Sequence, residues 1–90
     1  MFGENALWLY KRGAARAALG RSADAEQDLR NAVSVEGRPW VHGRAHLELG
    51  KLMLKAGNRG GARQAFQTAA TLCDSDGDGA TADEARRMMK

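Results

Sequence analysis

The sequence predicts an all-α fold of two antiparallel helical hairpins and a closing C-terminal helix. Three observations lead there. The first is internal repetition at a spacing of 37 residues. Gly13 recurs as Gly50, Gly20 as Gly57, Ala25 as Ala62, Gln27 as Gln64 and Ala32 as Ala69, while Leu29 is matched by the bulky Phe66. Self-similarity at such a period marks a stack of supersecondary units. The second is that apolar residues recur at helical spacing, with no alternating stretch that reads as a strand. The third is that the single proline, Pro39, falls between two apolar stripes, so no helix is interrupted.

The elements follow in order. Asn5 to Leu19 is rich in alanine and leucine and reads as the first helix. Gly20 ends it, since glycine readily takes the left-handed conformation of a helix stop. Ser22 is placed to cap the second helix, with Asp24 and Glu26 in the first turn, where negative charge suits the helix dipole. Ala25, Leu29, Ala32 and Val33 then form its apolar stripe. Glu36-Gly37-Arg38 breaks the chain, and Pro39 suits a first helical turn. The third helix runs from Trp40 to about Ala56, with Val41, Ala45, Leu49, Leu52, Met53 and Ala56 on one face. Gly57 ends it and Asn58 is placed to cap the fourth. That helix buries Ala62, Ala65, Phe66, Ala69, Ala70 and Cys73. The acidic break Asp74-Ser75-Asp76-Gly77-Asp78-Gly79 follows. Thr81 and Glu84 then have capping-box spacing and open a last helix ending at Met89. The units are expected at about 6–37 and 43–73, with the closing helix at about 81–89.

The small residues have a mechanical purpose. Two tightly joined helices approach closely only where one offers glycine or alanine to a bulky residue on the other. Gly13 and Gly50 form the recess on the first helix of each hairpin, Ala25 and Ala62 the recess on the second. Leu29 and Phe66 fill the space between.

Ninety residues make one small domain, and 43% hydrophobic with 28% charged residues is ordinary for a folded one. The net charge of +3 favours acidic partners. Yet 11 acidic residues are interspersed with 14 basic ones, and no block of like charge argues for nucleic acid. A lone cysteine excludes an internal disulfide and a cysteine-based zinc cluster. No stretch approaches the roughly 18 apolar residues of a membrane span. The start, Met1 to Asn5, lacks the order of a signal peptide. A cytoplasmic location is the expectation.

Taken together, these residues resemble the tetratricopeptide repeat. The first unit carries Leu9, Arg12-Gly13, Gly20, Ala25, Leu29 and Ala32. The second carries His46, Leu49-Gly50, Gly57, Ala62, Phe66 and Ala69. The resemblance covers roughly residues 6–73, and the last helix is similar to the solvating cap of such arrays. It departs in repeat length, which is about 34 in that family, and in the placement of Pro39. It departs also in His46, where a bulkier residue belongs, and in Arg16 and Met53, where the family has an aromatic. The resemblance implies a short right-handed solenoid and a protein-binding function without catalysis or cofactor.

In that family the first helices of successive hairpins line a concave groove. Carried over, the groove residues are Leu7, Tyr10, Lys11, Ala14 and Ala17 from the first unit, then Arg44, Leu47, Lys51, Leu54 and Lys55 from the second. The residues themselves add that Trp40, Leu47 and Leu54 recur every seven positions beside Arg44, Lys51 and Lys55. Such a surface suits an acidic, partly apolar protein segment. The family's carboxylate clamp does not carry over, because its positions hold Tyr10 and Ala14. A competing reading is self-association. Leu7, Trp8 and Tyr10 on the first helix have no preceding repeat to cover them, and about three units are usual for stability. A homodimer without a separate ligand is the resulting alternative.

A weaker alternative is calcium. Asp74, Asp76, Asp78 and Gly79 have the spacing that opens an EF-hand loop. The loop lacks its closing glutamate, however: Ala85 stands there, with Glu84 one place early. His42 and His46 share a helix at metal-ligand spacing, but no third ligand is evident. Cys73 reads as a small buried apolar residue.

Overall fold

A computed structural model describes residues 4–90, and the chain start read above, Met1 to Gly3, lies outside the described residues. Five helices occur among the described residues: α1 Glu4–Ala18, α2 Ser22–Ser34, α3 Pro39–Lys55, α4 Arg59–Ser75 and α5 Gly79–Met88. None is long and apolar enough to cross a membrane.

Three of the four links share one stop signal. Gly20, Gly57 and Gly77 have φ of +81°, +87° and +79°. At each, the residue after the glycine donates its N–H five residues back: Arg21 to Arg16 at 2.9 Å, Asn58 to Met53 and Asp78 to Cys73 both at 2.8 Å. The glycines themselves donate to Ala17, Leu54 and Asp74. Each is a Schellman closure, which satisfies orphan carbonyls at a helix end. The α2–α3 link is different. Val35 and Arg38 are extended, and Pro39 stands in the first turn of α3. Gly37 serves close approach there, since a Cβ on it would lie 2.6 Å from the Ala6 Cβ on α1.

Two of the expected caps move. Ser22 is already helical, and Arg21 takes the cap position without a side-chain bond. The closure at Gly20 feeds α2 directly, so no residue is left over for a serine cap. Asp78, not Thr81, caps α5, its carboxylate accepting from the Thr81 N–H. It stands immediately after Gly77, so α5 starts earlier than the capping box implied, and Glu84 reaches Lys51 instead. Asn58 does cap α4, accepting from the Gly61 N–H at 3.0 Å.

The hairpins α1/α2 and α3/α4 are the most intimate pairs. α3 also packs on α1 and α2, and α5 packs on α4 and more lightly on α3. Among the described residues neither α1 nor α2 packs against α4 or α5. Contact is therefore confined to helices no more than two apart in the chain. The Cα extents are 36 × 28 × 18 Å. With helix axes about 8–10 Å apart in contact, the short dimension admits no more than two layers.

The core forms two clusters, one joining α2 to α3 and one joining α3, α4 and α5. Leu29, Ala32, Ala45 and Leu49 form one cluster, flanked by Leu9, Tyr10, Val33 and Leu52. Leu47, Ala62, Phe66, Ala69, Ala70 and Ala85 form the other, flanked by Met53, Met88 and Met89. Each cluster pairs two bulky side chains, Leu29 with Leu49 and Leu47 with Phe66, with small alanines. Ala56, expected on the core face of α3, is exposed beside Gly57, because α3 ends there.

Candidate protein-binding surface

The groove expected from α1 and α3 does not survive as an open basic surface. Leu47 is only 3% exposed and sits in the cluster with Ala85 of α5. It is corrected from groove to core: α5 covers it. Arg44 is held by Asp78 at 2.7 Å and stacks over the Trp40 ring at 4.9 Å. Lys51 pairs with Glu84 of α5 at 2.8 Å and with Glu48 at 3.4 Å. α5 thus neutralises the two central cations of the expected groove. Tyr10 packs against the first core cluster, and burial raises its pKa, with Arg44 opposing. Tyr10 is half-buried, with part of its ring turned to the core and part left at the surface. Leu7, Ala14 and Ala17 are half-buried, and Lys11 is exposed. Trp8 is 57% exposed, with the Arg12 guanidinium 4.3 Å above its ring.

Leu54 and Lys55 lie elsewhere, at the far end of the stack. Leu54 helps line a cleft of about 640 Å³ between the end of α3, the start of α4 and the end of α5. α4 contributes Arg59, Gly60, Ala62, Arg63 and Phe66, and the end of the chain contributes Met88, Met89 and Lys90. The cleft has a simple origin. α4 has 17 residues and α5 only 10, so α5 falls about 10 Å short at roughly 1.5 Å per residue. Running back along α4 from Gly79, it stops near Phe66. The first two turns of α4 and the tip of α3 are left unroofed.

The charge distribution singles out this cleft. Arg12, Arg16, Arg21, Arg30, Arg38, Arg44, Lys51 and Arg86 all form ion pairs. Lys11, Lys55, Arg59, Arg63, Arg87 and Lys90 form none among the described residues. Three of these, Arg59, Arg63 and Lys90, line the cleft. Lys55 and Arg87 adjoin it in sequence.

The acidic break works differently from a cation loop. Asp74 pairs with Arg86, Asp76 with Arg38 at 2.7 Å, and Asp78 with Arg44. Asp76 also accepts from the Trp40 N–H at 3.3 Å, bridging the start of α3 to the end of α4. The carboxylates turn to three separate arginines and do not converge, so the expected resemblance to a calcium loop ends at its spacing. Among the described residues no group of three His, Cys, Asp or Glu side chains is placed to hold a metal. His42 Nε2 donates to the Val35 carbonyl at 2.8 Å, tying down the α2–α3 link. His46 is half-buried, and burial lowers its pKa, helped by His42. Cys73 is buried, its Sγ 3.9 Å from the Trp40 carbonyl oxygen.

One site escaped sequence reasoning. Asp28 is 2% exposed. Arg12 grips it through two bonds of 2.7 and 2.9 Å, and Arg16 adds a third at 3.0 Å. The Arg12 hydrogen bonds hold its carboxyl below the usual range against the opposing effect of burial. A signal was present. The repeat sets Arg12 against Leu49, Arg16 against Met53 and Asp28 against Ala65, so all three positions change character together.

No family model matches the chain, and neither a curated protein nor a solved structure is significantly similar to it.

Proposed function

We propose that the chain is a protein-interaction module that holds a segment of another protein in the cleft between α3, α4 and α5. The observation that carries this reading is the cleft itself, where Leu54, Met88 and Met89 keep apolar surface over the buried Ala62 and Phe66. Binding sites are typically concave and mostly apolar, with a few polar groups for orientation. Flexible methionines adapt such a floor to different anchors. The tetratricopeptide reading is supported by the repeated insertion of Leu29 opposite Gly13 and of Phe66 opposite Gly50, and by contact confined to helices no more than two apart in the chain.

The test is a photo-crosslinking amino acid placed at Leu54, with a control at exposed Gln67 on α4. Expected is a partner trapped from Leu54, not from Gln67, and lost when Met88 is changed to Ser. Equal trapping at both positions would remove the cleft from consideration.

Self-association through α1 is the second reading, favoured by the exposure of Trp8. Light scattering over a dilution series decides it. A concentration-dependent mass that Trp8→Ala abolishes supports the dimer, and a constant monomer mass removes it.

A further inference from the structure

We infer that the occupant of the cleft is an acidic, amphipathic helical segment of a partner protein, about two turns long where it contacts this chain. The inference rests on the reading of the cleft as a binding surface and adds what fills it. Charge is the first argument. Arg59, Arg63 and Lys90 surround an apolar floor and have no acidic partner among the described residues. Away from the cleft, Arg12, Arg16, Arg21, Arg30, Arg38, Arg44 and Arg86 are matched by the chain's own carboxylates, and of the arginines outside its lining Arg87 alone forms no ion pair among the described residues. Unmatched cations beside an apolar floor are complementary to a segment with carboxylates on one face and bulky apolar residues on the other.

Length and direction are the second argument. α5 ends about 10 Å short of α4, given their 10 and 17 residues. The stretch of α4 and α3 that α5 leaves uncovered is about two helical turns long, which suits a short helix. A partner helix lying on from Met88 would cover Leu54 and the first turns of α4, as α5 covers Leu47. Charge also disfavours a second copy of this chain. The copy carries a net +3, and its exposed first helix presents Lys11, which forms no ion pair among the described residues, near Trp8, so it would meet the cleft with like charge.

The experiment uses the full 90-residue chain and three fluorescent amphipathic helical peptides with identical apolar anchors. One bears Glu on its polar face, one Gln and one Lys. Binding is read by anisotropy at two salt concentrations, against the chain and against its Arg59→Glu, Arg63→Glu variant. Both arginines are exposed and unpaired, and Arg59→Glu puts an acid in the first turn of α4, so the variant keeps its fold, as circular dichroism would verify. Expected is binding of the Glu peptide at least 10-fold tighter than the Gln peptide, weakening with salt, with that preference lost in the variant.

Equal binding of the Glu and Gln peptides would overturn the acidic class while leaving the cleft as a binding surface. Failure of all three peptides, with Leu54 still crosslinking a partner, would overturn the helical occupant. Failure of both would instead sink the binding reading on which the inference rests. Displacement of the Glu peptide by a single-stranded oligonucleotide at equal concentration would reassign the cations to nucleic acid. A concentration-dependent mass abolished by the Arg59→Glu, Arg63→Glu variant would make the occupant a second copy.

Discussion

Gly50 faces the Phe66 ring so closely that a Cβ added there would lie 2.6 Å from Cε1, and Gly13 stands in the same relation to Leu29, with a Cβ 2.8 Å from Cγ. Phe66 and Leu29 are 1% and 0% exposed, so neither can swing away into solvent. Alanine in mid-helix gains about 1 kcal/mol over glycine, whereas overpacking a core costs about 1–3 kcal/mol. Gly50→Ala and Gly13→Ala should therefore be net destabilising. The opposite sign is expected of Gly60→Ala, where a Cβ meets nothing within 4 Å and a gain of about 0.4–1 kcal/mol is usual. Urea unfolding measures all three. A Gly50→Ala chain as stable as the parent would dismiss the close approach.

The buried charge at Asp28 gives a sharper contrast. Asp28→Ala leaves Arg12 and Arg16 facing a dry contact without their carboxylate. Removing one partner of a buried pair costs about 3–5 kcal/mol. The arginine side chains remain 38% and 28% exposed, which screens that figure to about 1–3 kcal/mol. The triple change Arg12→Leu, Arg16→Met, Asp28→Ala copies the residues of the second unit. It should restore stability to near the parent level, because apolar replacement of a whole buried cluster is often neutral or better. A triple variant no more stable than Asp28→Ala alone would refute the equivalence of the two units.

Acid should unfold the chain through the same contacts. Arg12, Arg38 and Arg44 each hold a carboxyl below its ordinary pKa, those of Asp28, Asp76 and Asp78 respectively. A carboxyl with a depressed folded-state pKa stabilises above its unfolded value, near pH 4. That stability is lost as pH falls through the folded pKa. Stability should be flat near neutrality and decline below about pH 4. The decline should be shallower in the Arg12→Leu, Arg16→Met, Asp28→Ala variant, as thermal melts against pH would show.

The break between α4 and α5 should be indifferent to calcium. Each of its three carboxylates engages a different arginine. Millimolar calcium should leave the melting temperature unchanged, since only preferential binding to the folded state raises it. An increase of several degrees would reopen the loop as a cation site.

Cys73 should report opening of the second hairpin. Burial pushes its thiol pKa up to about 11, with Asp78 adding and Arg44 opposing, so little thiolate exists near neutrality. A disulfide reagent should label it slowly in native buffer and rapidly in denaturant. Gly43→Ala should accelerate native labelling, because its Cβ would lie 2.5 Å from the Cys73 Sγ. Unchanged labelling would mean that the thiol is reached without opening that contact.

Helix number and the two bulky plugs are local properties, and they were legible. Gly20 and Gly57 stop helices by their own conformational freedom, and Pro39 and Asn58 act within one turn of where they stand. Leu29 and Phe66 meet Gly13 and Gly50 because a tight hairpin leaves little choice of register. Cap assignments failed where two signals competed within a few residues, as at Asp78 and Thr81. The candidate site was legible only in part. Leu54 lines the cleft with residues of α4 and the chain's last residues, whereas Leu47 is buried and Arg44 and Lys51 are paired with carboxylates.

Which surface stays open is a long-range matter. It depends on where α5 comes to rest: over Leu47, with Asp78 and Glu84 against Arg44 and Lys51. No spacing within α3 records that. The burial of Asp28 between two arginines likewise needs α1 and α2 to be placed side by side. Local stereochemistry and periodicity, which the sequence states directly, decided the helices and their hairpin contacts. Pairing of charges between distant elements, and the unroofed end left by a short α5, arise only when the helices pack, because a charge is free or neutralised according to its neighbours in space.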